Sequence, residues 1–165
     1  MDNREIINSK ILSDKSLERM LAYRRFKDQK MVFTNGCFDI LHRGHADYLA
    51  RAAEMGDILV VGLNTDRSVR AIKGPGHPVQ NEKSRSQILA SLFYVNAVIL
   101  FDRETPEELI KKVEPDILVK GSDYKPEEIV GYDIVTARGG KVITLALVEG
   151  YSTSEIFRKL SGGNL

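Results

Sequence analysis

At 165 residues, 42% apolar and 28% charged, the chain is long enough to bury one substantial core. A net charge of +1 with no concentrated basic run gives no reason to expect nucleic acid as a partner. The one cysteine excludes an internal disulfide framework and suits a reducing compartment. No apolar run approaches the ~18 residues of a membrane span, and the first residues lack a secretory h-region, so the expected setting is the cytoplasm, away from membranes.

Residues 1–30 are polar, with Leu17, Met20, Leu21, Tyr23 and Phe26 at roughly helical spacing. They predict one amphipathic helix over 16–28, an N-terminal extension lying against residues 31–165. A short apolar strand over 31–34 leads into Thr34-Asn35-Gly36-Cys37-Phe38-Asp39-Ile40-Leu41-His42-Arg43-Gly44-His45, and a helix over 45–55 follows, closed by Gly56. The near-continuous apolar run 57–63 reads as a buried parallel strand. After Asn64-Thr65-Asp66 comes a loop dense in Gly and Pro, Lys73-Gly74-Pro75-Gly76-His77-Pro78, then helical pattern over 82–92. Further strands are expected over 97–101, 117–120 and 141–147. Thr105-Pro106-Glu107-Glu108 opens a helix between the first two, and residues 126–138 form another with a break at Gly131. The last helix spans 152–160. Five apolar strands alternating with helices predict a Rossmann-like, doubly wound parallel five-stranded sheet.

Ligands of such sheets bind beyond the carboxyl ends of the strands. The first strand ends in the stretch from Thr34 to Asp39, with His42 and His45 beyond; three residues apart, the two imidazoles share one helix face beside unpaired backbone N–H groups. Asn35-Gly36 is also a hairpin signal, but no alternating strand follows it. Cys37, His42 and His45 are metal-capable, yet no second ligand cluster accompanies them. The fourth strand ends in Lys120-Gly121-Ser122-Asp123-Tyr124. The fifth leads through Tyr151 into Ser152-Thr153-Ser154, three hydroxyls at a helix start, which can cap the helix or cradle phosphate.

On these residues the chain resembles the HxGH nucleotidyltransferase superfamily, in its cytidylyltransferase-like branch. GCFDILHRGH is similar to its signature, and EGYSTSEIF to its C-terminal motif, with Ser154 in place of a threonine. NTDRSV, LVKGSDY and the KGPGHP loop are most similar to adenylyltransferases that make ADP-heptose. His77 stands where that branch carries an arginine. Leu147-Val148 occupy the region where glycerol-3-phosphate cytidylyltransferases carry Arg-Thr.

The resemblance implies adenylyl transfer from ATP to heptose 1-phosphate, releasing pyrophosphate, with Mg²⁺ carried on the ATP phosphates rather than in a protein cage. It implies His42, His45 and Lys73 as the catalytic set. Thr34, Asn35, Gly36, Cys37, Phe38, Asp39, Gly44, Lys120, Gly121, Asp123, Tyr151, Ser152, Thr153 and Ser154 would contact the nucleotide. Asn64, Asp66 and Arg85 would line the acceptor side, although Arg85 can instead pair with Glu82. A separate sugar kinase would act upstream, and a homodimer is compatible with related enzymes. The competing readings are cytidylyl transfer to glycerol 3-phosphate, adenylylation of a pantetheine-type acceptor, and a non-enzymatic receiver-like module.

Overall fold

A computed structural model describes residues 1–162. Its frame is a parallel sheet of six strands, one more than the sequence pattern predicts. In chain order the strands are β1 (Ile11–Leu12), β2 (Met31–Gly36), β3 (Ile58–Asn64), β4 (Ala97–Phe101), β5 (Ile117–Gly121) and β6 (Lys141–Leu145). Their spatial order is β1-β4-β3-β2-β5-β6. The added strand is two residues long, pairing Ile11 with Val98 and Leu12 with Ile99, and the Val98 N–H donates to the Lys10 carbonyl at 2.8 Å. Two apolar residues in a polar segment leave no strand signature, so only the exposed edge of β4 reveals them.

The helices are α1 (Asn3–Ser9), α2 (Asp14–Phe26), α3 (Arg43–Ala53), α4 (Asp66–Lys73), α5 (Glu82–Ser91), α6 (Glu107–Val113), α7 (Tyr132–Ala137) and α8 (Thr153–Gly162). The single helix expected near the N-terminus is thus preceded by α1, which the capping box of Asp2 and Glu5 starts. Ser13 caps α2, placing its start earlier than the apolar spacing indicates. The segment after Asn64, expected as loop, instead winds into α4, with Thr65 accepting the Ser68 N–H as N-cap. The helix expected over 126–138 breaks as foreseen: a 3-10 turn (Pro126–Glu128) precedes Gly131, whose φ of 97° starts α7. A Cβ at Gly131 would lie 2.6 Å from Ile110 Cδ1, so both conformation and space demand glycine.

Both faces of the sheet are covered, because successive strand residues point to opposite sides. Val32, Leu59, Val61, Val98 and Val119 pack with Tyr48, Leu49 and Ala52 of α3 and Leu89 of α5. Met31, Phe33, Val60, Ile99 and Leu118 pack with Leu17 and Leu21 of α2, Ile110 and Val113 of α6, and Val135 of α7. Burying each such side chain contributes about 1.5–3 kcal/mol. From β2 the chain steps outward through β3 to β4, then returns across the sheet to β5 on the other flank of β2. That reversal opens a crevice at the carboxyl end of β2, the place where an open α/β sheet takes its ligand.

Candidate active site

A cleft of about 290 Å³ opens there, lined by Asn35, Gly36, Cys37, Phe38, Asp39, His45, Tyr48, Lys73, Lys120, Gly121, Asp123, Tyr124, Leu147 and Thr153. Residues as far apart in sequence as Asn35 and Thr153 therefore meet at one point. A larger cavity of about 380 Å³ lies against Arg24, Arg25, Glu114, Asp116 and Arg138. Its charges satisfy one another, through Arg24–Asp116 at 2.6 Å, Arg25–Glu114 at 2.9 Å and Arg138–Glu114 at 3.0 Å. Asp116 precedes β5 and Lys30 precedes β2, so this cavity sits at the amino ends of the strands, where the sheet offers no ligand crevice.

His42 is the N-cap of α3, and its Nδ1 accepts the Gly44 N–H at 3.1 Å. In the neutral ring the proton therefore sits on Nε2, which becomes the available donor. The His42 and His45 rings stack with centroids 3.8 Å apart, and Phe38 meets His45 edge-on at 5.2 Å. Burial pushes the His45 pKa down to about 4, with help from the neighbouring His42 and from Lys73; the Ile40 carbonyl pulls weakly the other way. Burial also lowers the His42 pKa. Both rings are thus neutral near pH 7 and donate hydrogen bonds without carrying charge. A Cβ on Gly44 would lie 3.0 Å from the His42 ring and 3.2 Å from the Tyr151 carbonyl, so glycine lets α3 approach both.

Two buried groups weld the loops around the cleft. Asp39, 1% exposed, accepts from the Val79 N–H at 2.7 Å, the Gln80 N–H at 3.2 Å and the His77 ring at 2.9 Å. Burial pushes its carboxyl up, but the His77 and backbone hydrogen bonds prevail and hold it below the usual range. Arg85, also 1% exposed, donates to the carbonyls of Gln80 at 2.9 Å, Cys37 at 2.6 Å and Asn64 at 2.9 Å, and to Asp66 at 2.7 Å. Its partner is Asp66 rather than Glu82, whose carboxylate instead accepts the Asp66 N–H. Together Asp39 and Arg85 join the turn after β2, the end of β3 and the segment that follows the Lys73 loop. His77 closes the frame by packing edge-on against Phe157 of α8 at 5.4 Å.

The cations divide into inward and outward sets. Lys120 donates to the Asn35 carbonyl at 3.2 Å, and burial lowers its pKa to about 8. Lys73 is exposed at the end of α4 and makes no ion pair among the described residues. Of the sequence-predicted residues, the cleft thus gathers Asn35, Gly36, Cys37, Phe38, Asp39, His45, Lys73, Lys120, Gly121, Asp123 and Thr153. Ser152 caps α8 by accepting the Glu155 N–H at 3.0 Å, Ser154 is exposed, and Tyr151 receives the Arg43 guanidinium at 3.1 Å. Thr34 lies beneath the floor, hydrogen-bonded at 2.8 Å to Tyr48, whose hydroxyl donates to the Val119 carbonyl at 3.0 Å. Asn64 is 3% exposed and spends its amide on Ser68 and the Arg103 carbonyl. Burial raises the Cys37 thiol pKa, leaving a protonated wall rather than a nucleophile. Tyr48, Tyr124 and Leu147 also line the cleft; Tyr124 and Leu147 fall in motifs the sequence singles out, whereas no sequence signal marks Tyr48.

Two side-chain atoms are buried without a hydrogen-bond partner among the described residues, Asn35 Oδ1 and His45 Nδ1. Both belong to residues that line this cleft.

The profile of the cytidylyltransferase-like family matches residues 33–159. The chain belongs to this family. Bifunctional protein HldE from Syntrophotalea carbinolica is 48% identical over 153 residues, covering 93% of this chain and 31% of that protein. The HldE proteins of Methylobacillus flagellatus and Campylobacter jejuni subsp. doylei are 51% and 50% identical, covering 90% and 88% of this chain and 30% and 31% of theirs. The chain spans about a third of the length of these relatives. A lipopolysaccharide core biosynthesis protein from Thermoplasma volcanium superposes with a TM-score of 0.62 at 28% identity, over 73% of this chain and 99% of that one. Pantoate–β-alanine ligase from Francisella tularensis, crystallised with β-γ ATP and β-alanine, has a TM-score of 0.59 over 92% of this chain and 76% of its own; at 15% identity it shares the fold.

Proposed function

We propose that the chain transfers the adenylyl group of ATP to heptose 1-phosphate, giving ADP-heptose and pyrophosphate. The observation that carries this reading is the convergence of the neutral His45, Lys73, Lys120 and, from the start of α8, Thr153 on one cleft. The roughly 50% identity to the HldE proteins over nine-tenths of the chain supports the choice of reaction.

An oxygen of the acceptor phosphate attacks the α-phosphorus. The bond to the oxygen bridging the α- and β-phosphates breaks, and pyrophosphate leaves with the electron pair. The nucleophile is already ionised, so no strong base is needed; alignment and charge stabilisation do the catalysis. His42, through Nε2–H, and His45 donate to oxygens of the α-phosphate as charge builds on them. Lys73 bridges ATP and the acceptor phosphate, and Lys120 neutralises charge where the two anions meet. Thr153 and Ser152, with the first N–H groups of α8, hold the outer phosphates. Gly36, Gly44 and Gly121 permit close approach of the backbone, while Asn35, Phe38, Asp123, Tyr151 and Ser154 complete the nucleotide side. Asn64, Asp66 and Arg85 act on substrate through the loops they hold.

Among the described residues, no group of three or more His, Cys, Asp or Glu side chains is arranged to cage an ion. Asp39 is saturated by three hydrogen bonds, which leaves Asp123 as the open carboxylate of the cleft. That donor set fits Mg²⁺ held chiefly by triphosphate oxygens and water. When bound there the ion supplies charge neutralisation on the departing phosphates.

A sugar kinase must supply the acceptor. No described helix is long and apolar enough to cross a membrane, and the reaction we propose takes place in the cytoplasm, in a protein that can pair as a homodimer. The test is Mg²⁺-dependent pyrophosphate release with ATP or CTP, each offered heptose 1-phosphate or glycerol 3-phosphate. Release with ATP and the heptose phosphate alone is the expected outcome. Release with CTP and glycerol phosphate would overturn the reading in favour of a cytidylyltransferase.

A further inference from the structure

A second cavity of about 200 Å³ adjoins the cleft. It lies between Glu104-Thr105-Pro106, ahead of α6, and Glu128-Ile129-Val130 at the end of the 3-10 turn. The two cavities share Asn35, Lys120 and Tyr124 as a common wall. Lys73, Lys120 and His45 face the first beside Asp39 and Asp123, whereas Glu104 and Glu128 rim the second across from Lys120. Among the described residues the side chains of Glu104, Thr105 and Glu128 make no hydrogen bond or ion pair. The neighbouring Glu107 and Glu108, by contrast, are both paired with Lys111, at 2.8 and 2.9 Å.

We infer that this second cavity receives the polyhydroxyl body of the acceptor, with Glu104, Glu128 and Thr105 sorting its hydroxyl groups while Lys120 holds its phosphate at the shared wall. The inference rests on the nucleotidyl-transfer reading and adds the seat of the sugar to it. Ionised carboxylates only accept hydrogen bonds, and vicinal hydroxyls supply donors in the fixed geometry that makes such pairs selective. The same carboxylates repel a triphosphate, so ATP is left to the cleft that Lys73 and His45 line. Buried Pro106 and Ile129 give an apolar surface for the C–H face of a sugar ring. The arrangement sets the acceptor phosphate between its own lysine and the stacked histidines, on the path to the α-phosphorus. It also accounts for the absence of exposed acceptor contacts at Asn64 and Arg85, which are turned into the protein.

The test varies heptose 1-phosphate and ATP separately in the pyrophosphate assay, for the unmodified chain, Glu104→Ala, Glu128→Ala and the double variant. Both glutamates are exposed, and unchanged melting temperatures check that the variants fold. A lost hydrogen bond to a charged group corresponds to a roughly tenfold or greater change in affinity. The expected result is a KM for heptose 1-phosphate raised about tenfold or more in each variant, with the KM for ATP unchanged. An unchanged sugar KM would overturn the inference, as would a raised ATP KM, which would assign the cavity to the nucleobase. If the unmodified chain releases no pyrophosphate, the nucleotidyl-transfer reading fails by itself. Calorimetric titration of heptose 1-phosphate into the same four proteins then decides the cavity: weaker binding in the variants supports it, and equal or absent binding overturns it.

Discussion

Replacing Arg85 with alanine separates a residue that builds the site from one that touches substrate. The guanidinium is 1% exposed and makes three hydrogen bonds to backbone carbonyls and one to Asp66. Its loss strands those carbonyls and leaves a carboxylate without its counter-charge. Removing one partner of a buried ion pair costs about 3–5 kcal/mol. The Asp66 side chain is 29% exposed and recovers part of its hydration, which places the effect near the lower end, about 3–4 kcal/mol. For a chain of this size each kcal/mol moves the melting temperature by about 2–4 °C, so a fall of roughly 6–16 °C is expected. Arg85→Lys keeps the charge, but one ammonium cannot reach four acceptors in a planar fork, and about half the loss should persist. Urea denaturation followed by circular dichroism, together with thermal melts, measures both variants. A loss below about 1 kcal/mol accompanied by a raised KM would refute the reasoning and return Arg85 to direct substrate contact.

Four other outcomes follow from the same geometry. His45→Ala should lower kcat about 10²–10³-fold by removing a donor to developing charge, with the melting temperature kept; steady-state kinetics read this. The His45 pKa, near 4 in the fold against 6.5 in the unfolded chain, means that the unfolded state binds more protons between those values. Stability should therefore fall as pH drops from 6.5 towards 4, by up to about 3 kcal/mol, and His45→Gln should flatten that slope in urea titrations at each pH. Lys120, with a pKa of about 8, should lose its proton as pH rises through that value, raising KM in alkaline solution, and Lys120→Arg should remove the break in a pH–KM profile. Gly131→Ala forces φ of 97° on a residue with a Cβ and a 2.6 Å contact with Ile110, which should cost about 2–4 kcal/mol.

The five strands from β2 to β6 were legible because parallel strands covered on both faces are nearly continuous apolar runs. β1 was not, since two residues carry no period, and its partner is the edge of β4, 87 positions away from Ile11 at Val98. α4 escaped for a different reason. Asp66–Lys73 buries only Ser68 and Val69, so tertiary context and the Thr65 cap sustain a helix that has almost no apolar stripe. Within the site, strand ends and Gly-rich turns pointed to His45, Lys73, Lys120 and Thr153, which line the cleft. They gave no direction for polar side chains: a strand covered on both faces lacks the alternation that would orient Thr34 or Asn64. Tyr48 lies in a helix, where its apolar body reads as core and its hydroxyl is silent.

Asp39 illustrates why the motif's acidic residue and its histidines perform different work although only Ile40 and Leu41 separate Asp39 from His42. A second open carboxylate beside Asp123 would add to the repulsion of the phosphates that the lysines attract. The fold avoids that repulsion by giving Asp39 two backbone N–H donors and the His77 ring, which consume its lone pairs and fix the segment after the Lys73 loop. The charge of Asp39 is thus spent inside the protein, whereas the Lys73 ammonium stays exposed beside the cleft. With a net charge of only +1 for the whole chain, attraction for ATP has to arise from this local separation of signs. Asp39→Asn tests the argument: it retains much of the volume but exchanges one acceptor for an amide donor, which opposes the N–H groups of Val79 and Gln80 or the His77 ring. Freed from its anchor, the Lys73 loop should sample more conformations. The expected signature is a several-fold rise in KM for ATP, with faster amide exchange at Val79 and Gln80. Unchanged exchange together with a tighter KM would show that Asp39 acts as a repulsive charge and not as an anchor.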